Sequence, residues 1–173
     1  VETLGIAIIL ALIIRTFIIQ AFYLPSSSME PTLLINDHIL VNKFIYRFRE
    51  PRRKDIIVFL YPGSPERPPS TDQYSKIVGR LYWNRHATWY DVIHRFKWHR
   101  ERKDYIKRVI AVPGDEVLVK NGIVYVNGEP QDEPFIAEPP NDDFLPVRVR
   151  EKCLFVMGDN RNNSSDSRVW GFV

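Results

Sequence analysis

The segment Val117-Leu118-Val119-Lys120-Asn121-Gly122-Ile123-Val124-Tyr125 decides the fold of this chain. An Asn-Gly pair between two runs of β-branched residues predicts a hairpin, because a two-residue turn needs positive φ at both positions. The hairpin joins predicted strands at 116–119 and 123–126. Four further segments, most of them rich in Val, Ile and aromatic residues, are also predicted strands: 39–41, 55–61, 105–112 and 147–157. The sequence therefore predicts a mainly β fold built from antiparallel sheets.

An apolar run extends from Leu4 to Leu24 and is interrupted at Arg15. Its uninterrupted part is shorter than the roughly 20 residues that span a bilayer, but a helix without its first turns would show this pattern, with Arg15 at the membrane exit. We expect a transmembrane anchor and exit segment over 1–22, followed by a β-rich domain over 23–173. A buried core helix is one alternative. A signal-peptide apolar region is another, disfavoured because no Ala-x-Ala-like site precedes Pro25.

Residues 62–103 interrupt the strand pattern. This stretch begins with a proline-rich loop, and its part from 78 to 103 carries seven cations, two carboxylates and three of the four tryptophans. Basic residues interleaved with aromatic ones suit a membrane surface with anionic lipid, and they also suit a groove for single-stranded nucleic acid. Because an anchor is predicted nearby, we expect a lipid partner and no nucleic acid. A solvated basic insertion with a few core aromatic residues is the alternative.

Neither a metal site nor a cofactor site is predicted. His86, His94 and His99 fall in the basic insertion without a cysteine partner or a His-Glu-x-x-His pattern. The chain has no glycine-rich phosphate loop and no Walker-type lysine. Its one cysteine, Cys153, cannot form an internal disulfide. We therefore expect any chemistry to be carried out by side chains alone.

Ser28 is the candidate nucleophile. It lies in Ser26-Ser27-Ser28-Met29-Glu30-Pro31, just after the apolar N-terminal run. A serine hydroxyl needs a base to accept its proton, and no motif places a histidine for this task. Ser26 would project to the same side of an extended segment, so its hydroxyl and the backbone N–H of Ser28 could hold an oxyanion. By itself, the serine triplet is more typical of a turn or a helix cap.

Lys107 is the candidate base. In an extended strand it shares a face with Tyr105 and Val109, while Arg108 points to the other face. An apolar layer around the amine would lower its pKa from the usual value of about 10.4, because burial penalises the ammonium form. A lone lysine in a strand is more often solvated, so this hypothesis depends on the rest of the site.

A third group of polar residues alternates near the C-terminal end of the sequence. Ser164 could bond the lysine amine, while Asp166 and Arg168 could pair and brace the loop that carries them. A purely structural ion pair is equally compatible with the last two residues.

Taken together, these residues resemble bacterial type I signal peptidases, also called leader peptidases, which are membrane-bound serine/lysine proteases that remove signal peptides. The motifs that carry the resemblance lie at 25–33, 54–59, 105–115 and 158–173. The resemblance implies that Ser28 is the nucleophile, Lys107 the general base and Ser26 an oxyanion donor. It further implies that Ser164 orients the lysine while Asp166 and Arg168 support the site. The implied fold is a β-rich catalytic domain with an apolar, membrane-facing surface and a second subdomain reduced to 116–150.

The resemblance also implies a specificity and a setting. Such enzymes cleave after a small residue, usually Ala at the last and third-last positions before the bond. Signal peptides of secreted preproteins and membrane lipid are the implied partners, with no cofactor, for a monomer on the outer face of the bacterial cytoplasmic membrane. The implied walls of the substrate pockets are Phe22, Leu24, Met29, Leu33, Ile39, Tyr105 and Ile106.

Two other functions are compatible with parts of this pattern. A catalytically silent, membrane-anchored homologue acting as a binding scaffold would not need its base, whereas Ser28 and Lys107 are both present. A self-cleaving repressor of the related serine/lysine fold would carry a DNA-binding helix-turn-helix in place of the apolar run. The peptidase hypothesis therefore explains more of the sequence.

Overall fold

The computed structural model describes residues 2–61 and 104–173. The proline-rich loop and basic aromatic insertion expected over 62–103 lie outside the described residues. In chain order, the helices and strands are α1 (Glu2–Ile13), a π-helical turn (Ile14–Ile18), β1 (Ile19–Tyr23), β2 (His38–Asn42), a 3-10 helix (Ile45–Arg47), β3 (Ile56–Leu60), β4 (Asp104–Ala111), β5 (Glu116–Lys120), β6 (Ile123–Val126), β7 (Glu129–Pro130), β8 (Phe144–Arg148), β9 (Phe155–Met157) and α2 (Ser167–Trp170).

The N-terminal segment differs from the expected anchor at its C-terminal end. Residues 19–22, assigned to the anchor and exit segment, belong to β1, which pairs antiparallel with β2 from Ile19 opposite Asn42 to Tyr23 opposite His38. Backbone pairing with β2 therefore replaces the expected exit segment there. Within 2–61 and 104–173, no helix combines the length and apolar character needed to cross a bilayer.

A three-stranded antiparallel sheet forms the centre of the molecule, with β4 between β3 and β9. Both faces of this sheet are covered by apolar side chains. Val109 of β4 packs in one cluster with Ile57 and Phe59, whereas Ile110 packs in the other with Phe155. Because β4 is enclosed on both faces, polar residues in its C-terminal half are buried and need partners within the protein.

A second, four-stranded sheet in the order β7-β6-β5-β8 lies within 116–150. The predicted hairpin is confirmed: Asn121 and Gly122 have φ of 51° and 76°, as a type I′ turn requires. The predicted single strand over 147–157 is wrong, because β8 and β9 belong to different sheets. A turn separates them, in which Lys152 adopts a φ of 60°. The proline-rich acidic stretch 129–146 contains β7 and the start of β8.

Candidate active site

Ser28 and Lys107 lie in contact, although 79 positions separate them in the sequence. The amine Nζ of Lys107 donates a hydrogen bond to Ser28 Oγ at 2.6 Å and another to the carbonyl oxygen of Ile106 at 3.0 Å. Lys107 is 4% exposed and Ser28 is 9% exposed. A hydroxyl and an amine at this distance can exchange a proton, so the pair is called the candidate dyad below.

Burial sets the protonation state of Lys107. Its pKa is lowered to about 8, mainly because the buried ammonium loses its hydration. Asp166 and Asp159 act in the opposite direction through their negative charge. Opposite Lys107 on β3 lies Ile57, and the ring of Tyr105 is centred 5.6 Å from the amine. The predicted apolar surroundings and lowered pKa are therefore present.

The serine loop (residues 25–30) is held by the C-terminal loop (residues 158–166). The backbone N–H of Asn160 donates to the carbonyl oxygen of Ser28 at 3.2 Å. The Asn160 side chain donates to the carbonyl oxygen of Ser27 at 3.2 Å, and the Asn163 side chain donates to the Ser27 hydroxyl at 3.0 Å. The Ser28 N–H donates a hydrogen bond to Ser26 Oγ at 3.3 Å. The two candidate oxyanion donors are therefore bonded to each other in this structure.

The predicted pair of Asp166 and Arg168 is present at the end of the C-terminal loop. The guanidinium donates to both carboxylate oxygens at 2.9 Å, and the fully buried Asp166 also accepts the N–H of Gly158 at 3.1 Å. Nη2 of Arg168, one of the two nitrogens that bond Asp166, also donates to the carbonyl oxygen of Arg161 at 2.6 Å. The pair thus joins two backbone points of one loop, at Gly158 and Arg161, as a brace would.

Ser164 occupies a different position from the expected one. Its hydroxyl is buried without a hydrogen-bond partner among the described residues, and it packs closely against Gly158. The predicted bond between Ser164 and the Lys107 amine is absent in this structure. The hydrogen bonds of that amine go instead to Ser28 and Ile106.

A buried ion pair next to the candidate dyad was not predicted. Arg108 donates to both carboxylate oxygens of Asp159, at 2.8 and 2.6 Å, and the Thr32 hydroxyl donates to the same group at 2.5 Å. Asp159 is fully buried. Strand alternation correctly predicts that Arg108 and Lys107 point to opposite faces of β4. It does not predict the ion pair, although an arginine in a buried strand needs a carboxylate partner and this requirement could have indicated one.

The described residues contain no arrangement for a metal ion. Over 2–61 and 104–173, no group of three or more His, Cys, Asp or Glu side chains converges. His86, His94 and His99 lie outside the described residues.

Comparisons with known proteins decide the family. A model of the signal peptidases, peptidase S26, matches residues 1–173. The chain belongs to the signal peptidase family, peptidase S26. It is 43% identical to the probable signal peptidase I-2 of Synechocystis sp., over 99% of this chain and 65% of that protein. It is 39% identical to the signal peptidase I of Leptolyngbya laminosa, over 100% of this chain and 71% of that protein.

A solved structure is also similar to this chain. The crystal structure of a signal peptidase I from Enterococcus faecalis V583 shares 26% sequence identity and covers 72% of this chain and 90% of its own, with a TM-score of 0.46. The predicted resemblance to signal peptidases is confirmed by the family match and the curated relatives.

Three of the wall residues inferred from the resemblance to signal peptidases line one cleft of about 550 Å³. These are Phe22 of β1, Leu33, and Ile39 of β2. Ile56, Ile57 and Val58 of β3 line the same cleft and were not predicted. Ile57 also belongs to an apolar cluster of the central sheet, so one wall of the cleft is continuous with the core. The candidate dyad is not part of this lining.

The other four inferred wall residues lie elsewhere. Leu24 and Met29 are buried in the protein interior. Tyr105 is half-buried and stacks on Tyr61, with ring centroids 4.8 Å apart. Ile106 is half-buried next to the lysine in β4. The cleft is therefore built on β1, β2 and β3, whereas the candidate dyad is built on the serine loop and on β4, which pairs with β3.

Proposed function

We propose that this protein removes N-terminal signal peptides from exported preproteins, with Ser28 as nucleophile and Lys107 as general base. The observation that carries this proposal is the 2.6 Å contact between Lys107 Nζ and Ser28 Oγ inside a buried site. Membership in the peptidase S26 family and the names of its relatives support the same reaction. The chain spans 65% and 71% of the two curated relatives, so the substrates of the whole protein belong to this proposal.

The geometry suggests how the reaction proceeds. Neutral Lys107 accepts the proton of Ser28 as Oγ attacks the carbonyl carbon of the scissile bond. The Ser28 N–H exchanges its bond to Ser26 Oγ for one to the oxyanion that forms, and the Ser26 hydroxyl donates to the same oxyanion. The resulting ammonium returns its proton to the leaving amine, which gives an acyl-enzyme. Lys107 then activates water, and hydrolysis of the ester regenerates Ser28.

Around the dyad, the proposed roles follow from the contacts. Asp166 and Arg168 hold the C-terminal loop in place, and Ser164 packs against Gly158, beside the backbone of Ser28. Cleavage after Ala-x-Ala is part of the proposal, with Phe22 and Ile39 as apolar walls of the substrate cleft.

The proposal also includes a location. We place the enzyme on the outer face of the bacterial cytoplasmic membrane as a monomer that contacts lipid, anchored through the segment that precedes β1. All the α1 side chains whose exposure is described are exposed, and they are mostly apolar. No separate cofactor is part of the proposed reaction.

Cleavage of a preprotein with an Ala-x-Ala site tests the proposed function. We expect the detergent-solubilised protein to cut directly after the final Ala, as judged by product mass. Ser28→Ala should lower kcat by about 10³-fold or more, because the acyl-enzyme cannot form. Ser165→Ala is a matched control, since Ser165 is exposed in the same region of the fold. Binding without cleavage by folded wild-type protein would contradict the proposal and favour a silent scaffold.

The pH dependence of cleavage should report the titration of Lys107. Only its neutral form can accept the serine proton, so kcat/KM should be lost as the pH falls through the pKa of about 8. About one tenth of the lysine is neutral at pH 7, and the rate should fall roughly tenfold for each further pH unit. An acid limb with its midpoint near 6, where histidine titrates, would assign the base elsewhere.

A further inference from the structure

Arg161 lies at the centre of a buried network that joins the four-stranded sheet to the candidate active site. Its guanidinium donates to both carboxylate oxygens of Glu133, at 2.6 and 2.7 Å. The arginine side chain is fully buried, and the glutamate side chain is 7% exposed. Glu133 belongs to the loop between β7 and β8, far from Arg161 in the sequence. This pair therefore connects two parts of the chain that could otherwise move independently.

The same arginine holds the backbone beside the nucleophile. Its Nε donates to the carbonyl oxygen of Gly158 at 3.2 Å, and its own carbonyl oxygen accepts a bond from Arg168 at 2.6 Å. Gly158 in turn packs against the carbonyl oxygen of Ser28 so closely that a Cβ there would overlap it. A continuous series of contacts thus runs from Glu133 through Arg161 and Gly158 to Ser28.

Phe135, two residues after Glu133, provides a second connection from the same loop. Its ring centroid lies 3.9 Å from Cζ of Arg108 and 5.9 Å from Cζ of Arg161. A guanidinium over an aromatic face is attracted more strongly when both groups are removed from water. The loop between β7 and β8 therefore contacts both arginines that fix residues 158–161.

We propose that Glu133 is a positioning residue for the Ser28–Lys107 pair and acts through Arg161 and Gly158. The kinetic part of this proposal rests on the proposed peptidase function. A guanidinium keeps its charge, so Arg161 must be either paired or hydrated. Without the Glu133 carboxylate, the buried guanidinium would lose the negative charge that it pairs with, and the loop would open to admit water. The opening would release the Gly158 carbonyl and loosen the backbone beside Ser28.

Glu133→Gln is the direct test, because it keeps the side-chain shape and removes the charge. In the full chain we expect kcat to fall about 10- to 100-fold with KM little changed, since small displacements of reacting groups have effects of this size. We also expect the titration midpoint of Lys107 to rise towards the usual value for lysine. Burial is the largest cause of its lowered pKa, and it outweighs the opposing charges of Asp159 and Asp166 on the same loop.

Two further variants separate positioning from a general loss of stability. Glu138→Gln is a matched control: Glu138 lies in the same loop and contacts Asn162 of the C-terminal loop at 3.4 Å, but it is exposed. It should retain the wild-type kcat and midpoint. Glu133→Asp keeps the charge on a shorter side chain and should recover most of the activity and of the Lys107 midpoint. A purely structural role would lower the folded fraction without moving the midpoint.

The midpoint can be measured without any substrate, by following lysine Cε signals in NMR spectra across pH. Comparison with Lys107→Met identifies the signal. Folded Glu133→Gln protein with wild-type kcat and midpoint would overturn the proposal, as would a kcat loss that only matches the unfolded fraction. If Glu133→Gln does not fold, Arg161→Lys decides, because lysine keeps a positive charge for Glu133 but has no Nε–H to hold the Gly158 carbonyl: a raised Lys107 midpoint supports the proposal and an unchanged value overturns it. If wild-type protein cuts no preprotein, the proposed function fails, whereas the midpoint still decides the role of Glu133.

Discussion

Replacement of Lys107 by methionine should lower kcat for preprotein cleavage by about 10³- to 10⁴-fold, at the upper end of what a positioned general base contributes. Methionine has a similar length and no titratable group. The Ser28 hydroxyl therefore stays in place but loses the amine that accepts its proton, now 2.6 Å away. KM should change little, because the lysine amine points to the nucleophile. Initial rates at pH 9, where most of the wild-type lysine is neutral, give the clearest comparison.

The same substitution should leave the folded state nearly as stable as the wild type. A volume-conserving change in a core usually costs less than about 1.5 kcal/mol. Loss of the hydrogen bond to Ser28 lowers the free energy of unfolding by about 1 kcal/mol. Removal of the lysine amine raises it, because the charged form of the amine is unfavourable to bury. Thermal unfolding monitored by circular dichroism checks this balance. Lys120→Met, at an exposed position of β5, is the matched control and should keep full activity.

Retention of wild-type turnover by folded Lys107→Met protein would remove Lys107 from the reaction. Equal losses of turnover and of folded fraction would instead indicate that the variant disrupts the core. These results are distinguishable because turnover and unfolding are measured on the same preparation.

Local sequence signals account for most of the strands. Asn121-Gly122 specifies its turn through backbone preference alone, and β3, β4, β5 and β6 are marked by β-branched and aromatic residues between turn residues. The β1 strand was missed because an apolar run such as 17–24 is compatible with a helix or a strand. Its pairing with β2 depends on residues far along the chain. The turn before β9 was missed because Lys152, rather than glycine, takes the positive φ.

The sequence predicted which residues form the candidate site, but only some of the contacts between them. Motif order singled out Ser28 and Lys107, and strand alternation placed the lysine on an apolar face. The partners of buried charges could not be assigned in the same way. Asp159 could have paired with any nearby cation, and nothing local to Glu133 points to Arg161. Such choices depend on the packing of separate loops, which periodicity does not describe.

Replacement of Gly158 by alanine should lower kcat about 100-fold and destabilise the fold by about 2 kcal/mol. A Cβ at this position would overlap the Ser164 hydroxyl and the carbonyl oxygen of Ser28. The serine side chain could rotate away, but a backbone carbonyl cannot. The nucleophile would therefore have to shift, and its 2.6 Å contact with Lys107 would lengthen. Cleavage kinetics and chemical denaturation measure the two effects separately.

Gly114→Ala provides the control that makes this prediction specific. Gly114 lies in the turn between β4 and β5 with a φ of 89°, and a Cβ there would meet nothing within 4 Å. Alanine at positive φ is strained, so this variant should also lose stability, by about 1 kcal/mol. It should nevertheless keep wild-type kcat once the folded fraction is taken into account. If both alanine variants lost turnover in proportion to stability, close packing against Ser28 would have no separate catalytic effect. A loss confined to Gly158→Ala would show that catalysis depends on the absence of a side chain behind the nucleophile.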